Sequence, residues 1–344
     1  MTESPEILSH TEGGIGWITL NRPRTLNALS LFMIRKISHL LKEWEEDPSL
    51  KAVVIEGAGE KAFCAGGDVR AVYDAKKEGR SQTCDAFFRE EYTLNAYIHS
   101  YPKPYISLID GIAMGGGLGV SINGSHRLVT ERALLAMPET GIGFFPDVGA
   151  TTFLTKAPGK TGLYLGLTGA RLKAACALWS GLGTHFISAA VLPAFKKDLS
   201  HGLEEALQTH CQPLLEKGFL EKHKTDIDTH FSHASVEDIF ESLSHDDSPI
   251  AKETLTVLKT KSPTSLKVVF RQLTEATGTF EESTKTEFRL SQRFVEGHDF
   301  FEGVRAVLVH KDGTPIWKPG TLEQVTQEAI NHYFAPLGDR ELIL

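Results

Sequence analysis

The sequence predicts an α/β core followed by an α-helical C-terminal region, on three observations. Strand and helix signals alternate through the first half of the chain. Strand signals become scarce after about residue 195. Beyond that point the apolar residues recur at helical spacing in several separate runs. The 344 residues are too many for one small core. A soft boundary at 195–202 divides them into an expected core, 1–200, and an expected helical domain, 201–344.

Residues 15–20, IGWITL, alternate and are β-rich, and read as a strand ending at the turn Asn21-Arg22-Pro23. From Ser30 to Glu46, Phe32, Ile34, Ile37, Leu40, Leu41 and Trp44 recur at helical spacing. Asp47-Pro48 stops that helix, because a residue before proline is pushed out of the helical region. KAVVIE (51–56), YISLI (105–109) and residues 127–130 read as further strands. Amphipathic helix patterns cover 203–217, 250–260, 264–277, 281–296 and 299–308. Ser262-Pro263-Thr264 has the form of a capped helix start. The polar stretch 229–248 suits a connection or short frayed helices.

Lys and Arg number 36 against 44 Asp and Glu, a net charge of −8 with no long basic run. Nucleic-acid binding through a broad basic surface is therefore not expected. A local basic patch for a phosphorylated small molecule is compatible with this balance. Cys64, Cys84, Cys176 and Cys211 form no C-x-x-C pair, which points to buried, reduced thiols rather than a zinc ribbon or redox motif. The histidines form no Ser/His/Asp or H-x-x-x-H constellation, so no metal is expected. No stretch of eighteen apolar residues predicts a membrane span. The start, MTESPEILSH, has neither an apolar signal core nor an Arg-rich character, and a cytoplasmic location is the expectation.

Three glycine-rich places need a chemical account, since glycine costs conformational entropy on folding. Two follow strands: Phe63 to Asp68 (FCAGGD) and Met114 to Gly119 (MGGGLG). Neither has phosphate-loop spacing. Two such loops can each aim one backbone N–H at a single oxygen, forming an oxyanion hole. Tight turns and close helix–strand packing are the alternative. The third place, AMPETGIGFFPDVGA (136–150), is apolar and carries two acids, Glu139 and Asp147.

Together NRPRTLNALS, KAFCAGGDVR, GIAMGGGLGVS and MPETGIGFFPDVGA, in this order, resemble the enoyl-CoA hydratase/isomerase (crotonase) superfamily. FFREEY (87–92), SPTSLKVVFRQL (262–273) and the stretch 288–319 extend the resemblance to a branch that hydrolyses 3-hydroxyisobutyryl-CoA in valine catabolism. The resemblance covers most of the chain. It implies a crotonase-like spiral of ββα units followed by helices, and an acyl-CoA substrate that itself carries the CoA. No separate cofactor is implied. Backbone N–H groups at Gly67 and Gly116 carry over as donors to the thioester oxygen. The CoA side carries over to the backbone near Arg24 to Ala28 and near Ala65, Gly66 and Asp68.

Departures from the hydratase pattern carry the functional expectation. Hydratases of the family use two glutamates; one position carries over to Glu139 and the other to Gly119, which has no carboxyl. The hydrolase branch pairs the Glu139 position with Asp147 and adds Glu91 near the substrate hydroxyl. The expected reaction is therefore thioester hydrolysis of a short 3-hydroxyacyl-CoA. An enoyl-CoA hydratase or isomerase, and a non-catalytic acyl-CoA-binding protein, are the alternatives. Plainer roles also exist for single residues. Glu139 fits a solvent-facing loop, Asp147 the first turn of a helix, and one of Glu90 and Glu91 a solvated helix face. His298 and Asp299 fit a helix start, and Phe87-Phe88 fits core. Superfamily members often form trimers or hexamers, so a homo-oligomer is in view, although the longer helical tail would suit covering the surface trimers use.

Overall fold

The computed structural model describes residues 4–344. Its strands are, in chain order, β1 (Ile7–Glu12), β2 (Ile15–Leu20), β3 (Ala52–Gly57), β4 (Ala62–Cys64), β5 (Tyr105–Ile109), β6 (Ile112–Met114), β7 (His126–Val129), β8 (Leu134–Ala136), β9 (His185–Ile187) and β10 (Cys211–Gln212). One sheet has the order β1-β2-β3-β5-β7-β9-β10 and the other β4-β6-β8. From β3 onward the chain winds: β3 then β4, β5 then β6, β7 then β8. Each turn of the winding adds one parallel strand to each sheet. This is the expected spiral. β1 joins β2, and β10 joins β9, antiparallel.

Two compact units interleave along the chain. The first comprises the described part of Met1–Asp68 with Thr93–Ala136 and Arg171–Glu221, and it holds all ten strands. The second comprises Val69–Tyr92, Met137–Ala170 and Lys222–Leu344, and its regular elements are helices. The helix Ser81–His99 contributes residues to both. No single boundary near residue 200 separates the units. The run read as a helix over 203–217 is helical only over Leu203–His210. Pro213 disfavours a helical Gln212, and Cys211–Gln212 pair instead with Ile187 and Phe186.

In the first unit, one apolar cluster gathers large-sheet residues Trp17, Val54, Ile106, Leu108, Leu128 and Ile187 with Leu192, Phe195 and Leu199. Each such buried side chain contributes roughly 1.5–3 kcal/mol. The helix Leu31–Glu46 starts at Ser30, whose Oγ accepts from the Met33 N–H at 3.2 Å. Its buried stripe is Met33, Ile34, Ile37, Leu40, Leu41 and Trp44. Phe32 lies off this stripe and is exposed.

In the second unit the polar stretch 229–248 lies largely in two helices, Lys224–Phe231 and Val236–Ser244. Val236, Ile239 and Leu243 keep one face of the latter buried. Ser262 caps Pro263–Thr274 as expected, accepting from the Ser265 N–H at 3.1 Å. Thr279 and Glu282 form a capping box that starts Phe280–Phe294. The helix His298–Val304 passes into a π-helical turn, Arg305–Val309. His298 stands at its first position, and Asp299 accepts from the Ser262 hydroxyl and the Lys318 N–H. Among the described residues no helix is long and apolar enough to cross a membrane.

Candidate active site

The first unit brings the two glycine loops side by side. Gly66 has φ +121°, a conformation that L side chains rarely adopt. A Cβ there would lie 3.3 Å from the Met114 carbonyl oxygen and 3.8 Å from the Gly116 nitrogen. Leu29 bridges Gly67: its N–H donates to Gly66 O at 2.8 Å and its carbonyl accepts from Asp68 N–H at 2.9 Å. In a parallel bridge of this form Leu29 uses the residues on either side of Gly67. The Gly67 N–H is thereby directed away from Leu29. Gly116 opens the helix Gly116–Ile122, so no turn of its own helix can take up its N–H. That helix packs so closely on β4 that a Cβ on Gly117 would collide with the Cys64 carbonyl oxygen.

Two side chains not singled out in the sequence hold Arg24–Ala28 against Ala65–Asp68. The Arg22 guanidinium donates to Ala28 O at 2.7 Å and to Asp68 Oδ2 at 3.0 Å. Asn27, fully buried with φ +58°, donates to Ala58 O and Ala62 O, both at 2.9 Å. The Ala65 N–H closes the loop on Leu26 O at 2.9 Å. The side chain of Arg24 is on the exposed side of this turn.

The second unit gathers the three acids. Glu91, Glu139 and Asp147 are 2%, 6% and 5% exposed, so neither a solvent-facing Glu139 nor a solvated Glu91 describes the fold. Glu90 is only half-buried. Asp147 precedes the helix Ala150–Thr155, whose cap is Gly149, and is not in its first turn. Tyr92 donates its hydroxyl to Asp147 Oδ2 at 2.7 Å. One oxygen of Glu91 and one of Glu139 have no hydrogen-bond partner among the described residues. Phe88, Phe144, Phe145 and Phe294 form a buried aromatic group in this unit, with ring centroids 4.7–5.6 Å apart along it.

Burial is the largest cause of the acids' proton affinity. It pushes Glu91 and Glu139 well above the usual carboxylate range, and the Asp147 charge adds to both. The Asp147 carboxyl rises to about 7 through burial; the Tyr92 hydrogen bond opposes that rise and the Glu287 charge adds to it. Three carboxyls this close resist holding three negative charges at once. Among the described residues no group of three or more His, Cys, Asp or Glu is placed to hold a metal ion. Cys64, Cys84 and Cys176 are buried and Cys211 is half-buried, and among the described residues they form no disulfide.

The sequence profile of the enoyl-CoA hydratase/isomerase family matches residues 15–334. The chain belongs to the enoyl-CoA hydratase/isomerase family. Within it, proteins named "3-hydroxyisobutyryl-CoA hydrolase, mitochondrial" from Rattus norvegicus, Gallus gallus and Homo sapiens are 49%, 48% and 46% identical to it. The alignments cover 99%, 98% and 98% of this chain and 91%, 91% and 90% of theirs. A solved structure described as a carnitinyl-CoA dehydratase from Mycobacterium thermoresistibile is similar at a TM-score of 0.94 and 40% identity, covering 99% of each chain. One described as an enoyl-CoA hydratase from Rhodobacter sphaeroides 2.4.1 has a TM-score of 0.93 and 35% identity, covering 99% of this chain and 100% of that one.

Gly119 lies buried inside the helix Gly116–Ile122, which carries no carboxyl side chain. Around the acids, Tyr92, Glu287 and Gln272 also escaped the sequence reading. Tyr92 could have been noticed, as the neighbour of Glu91 in FFREEY. Glu287 and Gln272 lie 138 and 126 residues from the backbone groups they hold, and no local pattern marks them.

Proposed function

We propose that this chain hydrolyses the thioester of 3-hydroxyisobutyryl-CoA, or a close short 3-hydroxyacyl-CoA, to the free hydroxy acid and CoA, a step of valine breakdown. The observation that carries the reading is the acid set. Glu139 and Asp147 are buried together while Gly119 replaces the carboxyl a hydratase needs. Near-full-length identity of 46–49% to proteins named for this hydrolysis supports it.

A thioester is already activated, because sulfur leaves well and donates poorly into the carbonyl. It needs a nucleophile and a place for the developing negative charge. The N–H groups of Gly67 and Gly116 supply the place; losing one such donor typically costs about 10²–10³ in rate. Glu139 supplies the nucleophile in one of two ways. It activates a water as general base, or attacks to give an acyl-enzyme anhydride that water then cleaves. In both, one water is consumed, the C–S bond breaks, and the thiolate leaves as thiol after taking a proton. Asp147 and Glu91 orient the substrate hydroxyl. The backbone of Arg24 to Ala28 and of Ala65, Gly66 and Asp68 borders the CoA moiety. CoA arrives with the substrate, and no separate cofactor takes part.

A hydration reading has its own support in the two solved structures whose descriptions name a dehydratase and a hydratase. Release of free thiol from 3-hydroxyisobutyryl-CoA, followed with a chromogenic disulfide beside crotonyl-CoA hydration, separates the two. Rapid thiol release with no hydration is the expected result. Hydration without thiol release would reverse the assignment.

A further inference from the structure

Asp147 sits on an awkward piece of backbone. The next residue, Val148, has φ +55°, and Gly149 has φ +91°. A β-branched residue in that region is strained and persists only where its surroundings over-determine it. Two helices of the C-terminal segment supply that over-determination. From Phe280–Phe294, Glu287 accepts the Gly149 N–H at 2.7 Å on Oε2. On Oε1 it accepts the Thr151 N–H at 2.9 Å and the Thr151 hydroxyl at 2.6 Å. From Pro263–Thr274, Gln272 donates one amide hydrogen to Pro146 O at 2.7 Å and the other to Thr151 Oγ1 at 2.9 Å. The residues on both sides of Asp147 are thus tied down.

The hydrogen-bond directions are fixed by the chemistry of the partners. Thr151 accepts from Gln272 and donates to Glu287, so the three side chains form one directed chain. The Pro146 carbonyl can only accept, which sets the orientation of the Gln272 amide. All three groups facing Glu287 are donors, and its acid is suited to receive them as a carboxylate. Glu287 is fully buried, and burial pushes it up to about 7, with the Thr151 and Gly149 bonds opposing that rise. It is ionised above neutrality, and its charge then bears on Asp147.

We propose that Glu287 is a positioning residue for Asp147: it clamps the turn that carries Asp147 and, when ionised, sets a negative charge that acts on it. The proposal rests on the hydrolase reading for its kinetic consequence. Its geometric content stands independently, because the clamp lies within the second unit. The C-terminal helices then act on catalysis through the backbone and side-chain groups that they hold around Asp147. The charged and titratable groups that bear on Asp147 are Glu91, Glu139, Glu287 and the Tyr92 hydroxyl, with Lys261 acting on Glu139.

The test compares Glu287→Gln, Thr151→Val and Thr151→Ser with the unaltered chain. Steady-state hydrolysis of 3-hydroxyisobutyryl-CoA is measured across pH. A second readout needs no substrate: difference infrared titration of the protonated-carboxyl band, with the Asp147 part identified by Asp147→Asn. Glu287→Gln keeps the size but puts donors against donors. It is expected to lower kcat by about 10²-fold, the scale of a small misplacement of a reacting group, with little change in KM. It is also expected to move the Asp147 titration and the acid limb of kcat/KM to lower pH, since a neighbouring negative charge is gone. Thr151→Val should lose part of kcat, and Thr151→Ser should restore it. An unchanged kcat in Glu287→Gln, or a lowered kcat with an unmoved Asp147 titration, would overturn the proposal. Should Glu287→Gln not fold, equal kcat in the two Thr151 variants would overturn it. If the unaltered chain releases no thiol, the hydrolase reading falls, and the infrared shift alone still decides whether Glu287 acts on Asp147.

Discussion

Tyr92 donates its hydroxyl to Asp147 at 2.7 Å with both side chains buried. Its ring is held edge-on between Phe88 and Phe288, with centroids 6.0 and 6.3 Å away. The bond stabilises the ionised form of Asp147, against burial and against the Glu287 charge.

Tyr92→Phe keeps the ring and deletes the bond. A hydrogen bond to a charged group contributes roughly 1.5–3 kcal/mol. Without it Asp147 holds its proton more tightly, so the acid limb of kcat/KM should move to higher pH, opposite to the shift expected from Glu287→Gln. A pH profile of hydrolysis measures this. An acid limb that does not move would separate Asp147 from the rate.

Glu139→Gln should abolish thiol release while leaving acyl-CoA binding measurable by calorimetry. The substitution exchanges the carboxylate, which can attack or take a proton, for a neutral amide that does neither effectively, yet preserves the size of the side chain. Full residual turnover would remove Glu139 from its role.

Asp147 is also a stability site. Burial pushes its carboxyl up to about 7 from an ordinary value of 3.8. The folded chain therefore binds this proton more tightly than the unfolded one, and stability falls as pH rises from about 4 through about 7. Asp147→Asn removes that loss. It should be inactive yet more stable than the unaltered chain at pH 8, by roughly a few kcal/mol, and so melt at a higher temperature. The difference should shrink at pH 5. Calorimetric scans at the two pH values would show it, and equal Tm differences at both would contradict it.

Gly119→Glu restores a carboxyl at the hydratase position, in a helix where every residue is buried. One added acid should not produce efficient crotonyl-CoA hydration, because burying a further charge carries its own cost. A large gain in hydration would show that Gly119 alone separates the two reactions.

Gly117→Ala tests the packing behind the glycine loops. Its Cβ has no room against the Cys64 carbonyl. The expected loss is roughly 1–3 kcal/mol of stability, read as a lowered Tm.

What could be read from the sequence followed from local pattern. β2, β3 and β5 are short runs rich in β-branched or aliphatic residues between turn signals, and each appeared as a strand. β4, β6 and β8 are three residues long and lie at the edges of glycine loops, too short to show a period. Pro263–Thr274 announced itself through Ser262-Pro263. The acids at 91, 139 and 147 were legible only because several motifs stood together in order; none has a spacing that identifies it alone. The clamp on Asp147 was illegible, since Thr151 and Glu287 meet across 136 residues of chain.

β10 has a consequence for how the chain must be handled. The large sheet is parallel through its middle, and at either end an antiparallel strand finishes it: β1 on one side, the two residues of β10 on the other. Unfinished strand edges recruit other chains. A truncation ending before Cys211, chosen to discard the helical tail, would strip that cover from β9. It should shift the protein from solution into self-associating sheets, visible as rising light scatter at constant concentration. The last turn of the sheet thus acts as a guard against aggregation, and expression boundaries drawn at residue 200 would remove it.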